Sequence, residues 1–301
     1  MNSKRIVAFG EIIWDILPTG RVLGGAPANF AARLQSLGHR VSLVSRVGQD
    51  QLGLEALTQL ERHGIDLGLV GLDDQHPTGT ATVSVQSDGT PVFQIQPEVA
   101  YDYIPLTTET INQVRSSDYF CFGTLSQRSL VSRETLVSLL ADYQGVRVLD
   151  LNLRKDCFER STILQSLRCA DILKLNADEA HYLRTLLNWS MVNNLQLSKQ
   201  ILQEFGLEVC LITLGGEGVI AVSQEQPALY VPGFEVEVMD TCGSGDAFTA
   251  AFLDSYSRGE ALLQSCRVGN ALGALVAATH GATVPISDSQ IQSLLRSPQP
   301  C

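Results

Sequence analysis

Asp240-Thr241-Cys242-Gly243-Ser244-Gly245-Asp246-Ala247-Phe248 is a glycine-rich turn that runs straight into an amphipathic stretch of small residues over 247–257. Glycine lets the backbone turn sharply and present its N–H groups, and the start of a helix adds its dipole, so the turn is a ready anion site. A carboxylate in that place repels the anion it faces. Asp246 therefore reads either as an N-terminal cap, a common use of Asp, or as a group with chemical work to do.

Outward from the turn, short runs rich in Val, Ile and Leu recur at residues 6–9, 41–44, 119–122, 146–150, 172–175 and 209–214. Continuous rather than alternating apolarity marks strands covered on both faces, and so a parallel sheet flanked by helices. Helical patterns stand at 28–37, 52–63, 133–143, 247–257 and 261–279. The fold class is α/β: a doubly wound, mostly parallel central sheet with helices on its faces.

Two excursions break this rhythm. Residues 80–86 and 91–96 are β-rich and separated by Ser87-Asp88-Gly89-Thr90, whose Asp-Gly pair is a strong hairpin signal. Residues 12–17, then Pro18-Thr19-Gly20 and Arg21-Val22-Leu23, look like a second hairpin. Both are assigned to a small antiparallel sheet beside the main one. With no repeat, low-complexity tract or linker, residues 1–301 read as one domain whose excursions occupy about 12–23 and 76–104.

The bulk numbers exclude several classes. A chain of 301 residues that is 45% hydrophobic and 18% charged has the profile of a globular enzyme. No apolar run reaches the roughly 18 residues of a membrane span. The first residues have too short an apolar stretch for a secretion signal, so a cytoplasmic protein is expected. Acidic residues outnumber basic ones 32 to 21 with no basic cluster, which argues against nucleic acid as a partner. Seven scattered cysteines form no C-x-x-C pair, which fits reduced thiols rather than zinc or disulfides. No G-x-x-x-x-G-K-[ST] occurs, and Gly216-Glu217-Gly218-Val219-Ile220-Ala221 leads into a strand-like run where a dinucleotide fingerprint needs a helix.

The sequence D-T-C-G-S-G-D-A-F resembles the C-terminal signature of the ribokinase-like (phosphofructokinase B) family of sugar kinases. Gly24-Gly25-Ala26-Pro27-Ala28-Asn29 resembles its N-terminal motif in the form usual among fructokinases. Two signatures in the right order, over 200 residues apart, make coincidence improbable, and the two β-rich excursions sit where the family has its lid. Cys242 and Ser244 stand where the family more often has Thr and Ala, and neither change removes a backbone N–H. Ala26 replaces the Lys of ribokinases proper, which makes ribose a poorer substrate than a hexose.

The resemblance implies roles position by position. Asp246 is the base that takes the sugar hydroxyl's proton, and Gly243, Ser244 and Gly245 form the anion hole. Asp15, Gly25, Asn29, Asn152 and Arg154 contact the sugar, although Asn152 and Arg154 read equally well as loop residues. Asn176-Ala177-Asp178-Glu179 resembles the N-x-x-E motif, which places Asn176 and Glu179 at magnesium; standing alone it is a solvated helix start. Thr213, Gly215 and Gly218 belong to a nucleotide loop that alone would be a hairpin turn, and Asn270 lies near the adenine. Asp240 lies near a monovalent cation. The implied activity is an ATP-dependent fructokinase using magnesium, with potassium as a further cation. The open alternatives are a 2-keto-3-deoxygluconate, ribose or nucleoside kinase, and a catalytically silent sugar or nucleotide sensor. A homodimer through the lid is expected because lid strands otherwise leave open edges.

Overall fold

Strands buried on both faces need apolar side chains at every position, and the runs that meet this condition become the centre of the larger sheet. The computed structural model describes residues 3–18, 20–85, 91–190 and 193–297. In chain order the strands are β1 (Arg5–Phe9), β2 (Ile13–Leu17), β3 (Gly20–Gly24), β4 (Arg40–Gly48), β5 (Val70–Asp73), β6 (Gly79–Val85), β7 (Pro91–Ile95), β8 (Tyr119–Phe122), β9 (Val146–Asp150), β10 (Ile172–Asn176), β11 (Val209–Thr213), β12 (Gly218–Ser223) and β13 (Leu229–Pro232). The helices are α1 (Ala26–Ser36), α2 (Gln51–Arg62), α3 (Thr108–Arg115), α4 (Leu130–Ala141), α5 (Arg160–Cys169), α6 (Ala177–Leu186), α7 (Asn194–Phe205), α8 (Ser244–Ser257), α9 (Leu262–Ala277) and α10 (Asp288–Arg296).

The larger sheet runs in the order β13-β12-β11-β10-β9-β8-β1-β4-β5. It is parallel from β11 to β5, and β12 pairs in antiparallel fashion with both β11 and β13. From β1 the chain winds outward through β4 and β5, then returns to β8 on the other side and continues to β11. The order therefore reverses between β1 and β8, and the crevice beyond their C-terminal ends is where such sheets bind ligands.

Alternate side chains of the strands enter two cores. Val7, Phe9, Phe120, Leu173 and Ile212 pack with α4 to α7, whereas Ile6, Ala8, Cys121, Ile172 and Leu211 pack with α1, α2, α8 and α9. A small third core joins α8, α9 and α10 through Ala251, Leu272 and Ile291. Each fully buried Leu, Ile or Phe contributes roughly 1.5–3 kcal/mol, so the doubly covered sheet carries most of the fold's stability.

Expected and observed bounds agree at β8 and β9, while β4 runs on to Gly48 and α8 begins at Ser244, three residues before its apolar pattern does. The smaller sheet has the order β3-β2-β6-β7. It is antiparallel within each hairpin, as expected, but β2 and β6 pair in parallel where the hairpins meet. The Asp88-Gly89 turn and Thr19 lie outside the described residues.

Candidate active site

Gly243 has φ 74 and ψ 0, a left-handed conformation natural to glycine, and it stands as the N-cap of α8 without any side-chain cap. It also has no room for a side chain: a Cβ there would collide with Ala282, whose Cα would be 2.8 Å away. Asp246 is the third residue of the helix and caps nothing. Its carboxylate instead accepts a hydrogen bond from Asn29 Nδ2 at 2.9 Å. The capping reading of Asp246 therefore fails, and the bond joins the two glycine-rich segments across 217 residues of chain. Ser244 turns inward, both its N–H (3.2 Å) and its hydroxyl (2.8 Å) donating to Thr241 O. The first-turn N–H groups of Gly245 and Asp246 have no carbonyl one turn back inside the helix, so they carry the anion-binding capacity of the turn.

Behind the turn lies a residue whose role sequence reasoning missed. Lys174 of β10 is 7% exposed, and its Nζ donates to Asp150 Oδ1 and Oδ2 at 3.0 and 3.1 Å. Thr249 of α8 donates to the same Asp150 carboxylate at 3.0 Å. A Cβ on Gly245 would stand 3.0 Å from Lys174 Nζ, which sets a buried ammonium directly beneath the anion-binding turn. Burial opposes its charge, but the Asp150, Glu179 and Asp246 carboxylates outweigh that and hold its pKa above the ordinary value. The signal was a lone Lys inside the apolar run Ile172-Leu173-Lys174-Leu175.

The Asp246 carboxyl is pushed up to about 6, chiefly by burial and then by Asp150, against the pull of the Asn29 hydrogen bond, Lys174 and Arg154. A carboxylate so placed is still ionised at neutral pH yet a far better proton acceptor than a solvated one. Glu11, also missed, follows β1 at the switch point, is 3% exposed and accepts the Ala26 N–H at 3.3 Å. Burial pushes it up to about 7. It was legible only as an acid between Gly10 and Ile12 at the end of a strand.

The expected sugar contacts converge here. Asp15 on β2 is half-buried, and burial raises its pKa while Arg154 opposes the shift. Asn152 lines the same cavity as Glu11, Asp150 and Asp246, with its backbone in a left-handed conformation at φ 42. Arg154 is exposed, and its charge acts on Glu11, Asp15 and Asp246 together. Gly25 lies against the Glu11 carbonyl, where a Cβ would collide, so its service is a close backbone approach.

A second cleft, open to the same turn, is lined by Thr213, Gly215, Gly218, Gly245 and Asn270, with Phe234 and Val236 as apolar walls. Thr213, Gly215 and Gly218 thus lie along one groove with the start of α8. The hairpin reading holds as well, since β11 and β12 pair in antiparallel fashion around the loop. Asn270 serves the wall: its Nδ2 donates to Val231 O (3.1 Å) and Pro232 O (2.9 Å), tying α9 to β13.

Asn176 and Glu179 form a capping box at the start of α6. Asn176 Oδ1 accepts from Glu179 N at 2.9 Å, and Glu179 Oε2 accepts from Asn176 N at 2.8 Å. Glu179 Oε1 accepts from Leu153 N at 2.8 Å, so buried Glu179 ties the start of α6 to the Asn152–Arg154 loop, while Asn176 is exposed at the helix start. Among the described residues no cluster of three or more His, Cys, Asp or Glu could hold a metal. What the donors fit is a magnesium ion that keeps its waters and its phosphate ligands and takes few protein oxygens. Asp240 commits Oδ1 to Cys242 N (2.9 Å) and Oδ2 to Gly281 N (3.2 Å), which fastens the loop after α9 to the turn.

Residues 5–289 match the family model described as pfkB family carbohydrate kinase. A fructokinase of Escherichia coli is 28% identical over 272 residues, 85% of each chain, and one of Salmonella typhimurium is 28% identical over 302 residues, 94% of this chain and 95% of that one. Among solved structures, the ATP-bound fructokinase of Xylella fastidiosa superposes with a TM-score of 0.87 over 98% of both chains at 22% identity.

Proposed function

We propose that this chain, which belongs to the pfkB family of carbohydrate kinases, is a fructokinase that transfers the γ-phosphoryl group of ATP to a sugar hydroxyl. The observation that supports the reading most is the 2.9 Å bond from Asn29 to Asp246, which ties helix α1 to the first turn of α8. The choice of fructose rests on the Gly24–Asn29 motif and on the fructokinases among the relatives.

In this reading ATP lies along the groove of Thr213, Gly215 and Gly218, and the sugar lies beside Asp15, Asn29, Asn152 and Arg154. Asp246 takes the proton of the acceptor hydroxyl as its oxygen attacks the γ-phosphorus and the bond to the β–γ bridging oxygen breaks. The unpaired N–H groups of α8's first turn face the charge that develops on the phosphoryl oxygens, each contributing about 3 kcal/mol. Lys174 adds a fixed positive charge from below. Magnesium supplies neutralisation of the phosphates when bound, near Asn176 and Glu179. A potassium ion would take the lone pairs left free on Asp240. Residues 1–301 work as one kinase domain, with the smaller sheet as a lid that excludes water. The reaction belongs in the cytoplasm, where ATP and free hexoses meet.

The test is ADP release across a panel of fructose, ribose, 2-keto-3-deoxygluconate and adenosine. Fructose is expected to give the highest kcat/KM. A preference for another acceptor overturns the choice of sugar, and no ADP release with any acceptor overturns the kinase reading itself.

A further inference from the structure

We infer that Arg33 is a positioning residue that couples the sugar-side helix to the phosphate-binding turn. Arg33 stands one helical turn beyond Asn29 on the same face of α1, and it is 2% exposed. Its guanidinium crosses to the loop after α9, with Nε and Nη2 donating to Ala282 O at 3.1 and 2.6 Å and Nη1 donating to Val284 O at 2.7 Å. That loop is the wall against which Gly243 turns, because Ala282 occupies the space a side chain on Gly243 would need. The residue before Ala282 is also fastened, Gly281 N–H donating to Asp240, whose other oxygen holds Cys242 N. The chain of contacts is therefore continuous: Asn29, one turn of α1, Arg33, Ala282, Gly243, then the first turn of α8 with Asp246, which returns to Asn29.

A buried cation is an expensive tie. Carbonyl oxygens compensate a guanidinium less fully than a carboxylate does, and an amide or apolar contact would hold a loop more cheaply. Burial pulls Arg33's pKa down to about 10, and the charge that offsets this is that of Asp246. What the guanidinium adds over a plain clamp is a rigid fork that fixes two carbonyls at once, with a positive charge that acts on Asp246. A small shift of Gly243 misaims the N–H groups of α8, and a misplacement of about 1 Å of such groups costs about 10²-fold in rate.

The inference rests on sugar phosphorylation, and holds whichever sugar is the acceptor. Its test compares Arg33→Met and Arg33→Lys with the parent, using the sugar the parent turns over fastest, well below the melting temperature of each variant. Arg33→Met is expected to lower kcat about 10²-fold with both KM values within about threefold, and Arg33→Lys, which keeps the charge and loses the fork, about 10-fold. A structural role alone lowers the melting temperature and leaves kcat per folded molecule unchanged. If Arg33→Met does not fold, Arg33→Lys decides alone. Parent-like kcat in folded Arg33→Met, or within twofold of the parent in Arg33→Lys, overturns the inference, while an inactive parent sinks the kinase reading instead.

Discussion

As the proposed base, Asp246 would meet two requirements that pull against each other: lying beside phosphate and accepting a proton. Burial and the Asp150 charge raise its pKa, while the Asn29 hydrogen bond, Lys174 and Arg154 favour the ionised form. With the carboxyl pushed up to about 6, kcat should rise with pH through about 6 and level off above it, as a base that must be ionised requires. The sign for stability is opposite. A carboxyl whose folded pKa lies above its unfolded one favours the folded state at low pH, and that contribution is lost as pH rises through about 6. A kcat profile flat from pH 5 to 8 would contradict the assignment. Asp246 and Asn29 were legible because glycine spacing marks the segments that carry them. Lys174 and Glu11 were not, since a single charge in an apolar run has no pattern, and Lys174's partner Asp150 lies 24 residues away on the neighbouring strand.

At the scale of elements, the fully covered strands could be read from continuous apolarity, whereas α5, α6 and α7 carry long polar faces and left only weak signals. The capping box that opens α6 shows why a short motif resisted a single reading. Its Asn and Glu are structural ties first, and a place near the phosphates is proposed for them from their position at the end of β10. Glutamine at 179 has one acceptor oxygen where the carboxylate has two, so Glu179→Gln leaves the N–H of Leu153 or Asn176 unpaired at a cost of about 1–3 kcal/mol. Thermal unfolding should show that loss, and kinetics should show a weakened apparent magnesium affinity that added magnesium partly restores. An unchanged melting temperature together with unchanged magnesium dependence would contradict both roles.

For the whole molecule, the doubly wound sheet places its switch point between β1 and β8, and the cavity holding Glu11, Asn152 and Asp246 opens there. This much follows from strand order, while the pairing of the two hairpins through parallel β2 and β6 depends on contacts that no local pattern records. In the small sheet, among the described residues, β3 pairs only with β2, and Val22 on it is 37% exposed. A second lid covering that edge predicts a dimer, so light scattering at micromolar concentration should give twice 32.6 kDa, and a monomer mass would remove the dimer. The proposed phosphoryl transfer to the sugar depends on Asp246 as a base. That dependence is tested most directly by kcat of Asp246→Asn beside its thermal stability at neutral pH. Asparagine keeps the shape and a hydrogen bond to Asn29 but takes up no proton, so a fall of roughly 10²–10⁴-fold in a protein at least as stable as the parent is predicted, and a kcat within a few-fold of the parent would contradict the account.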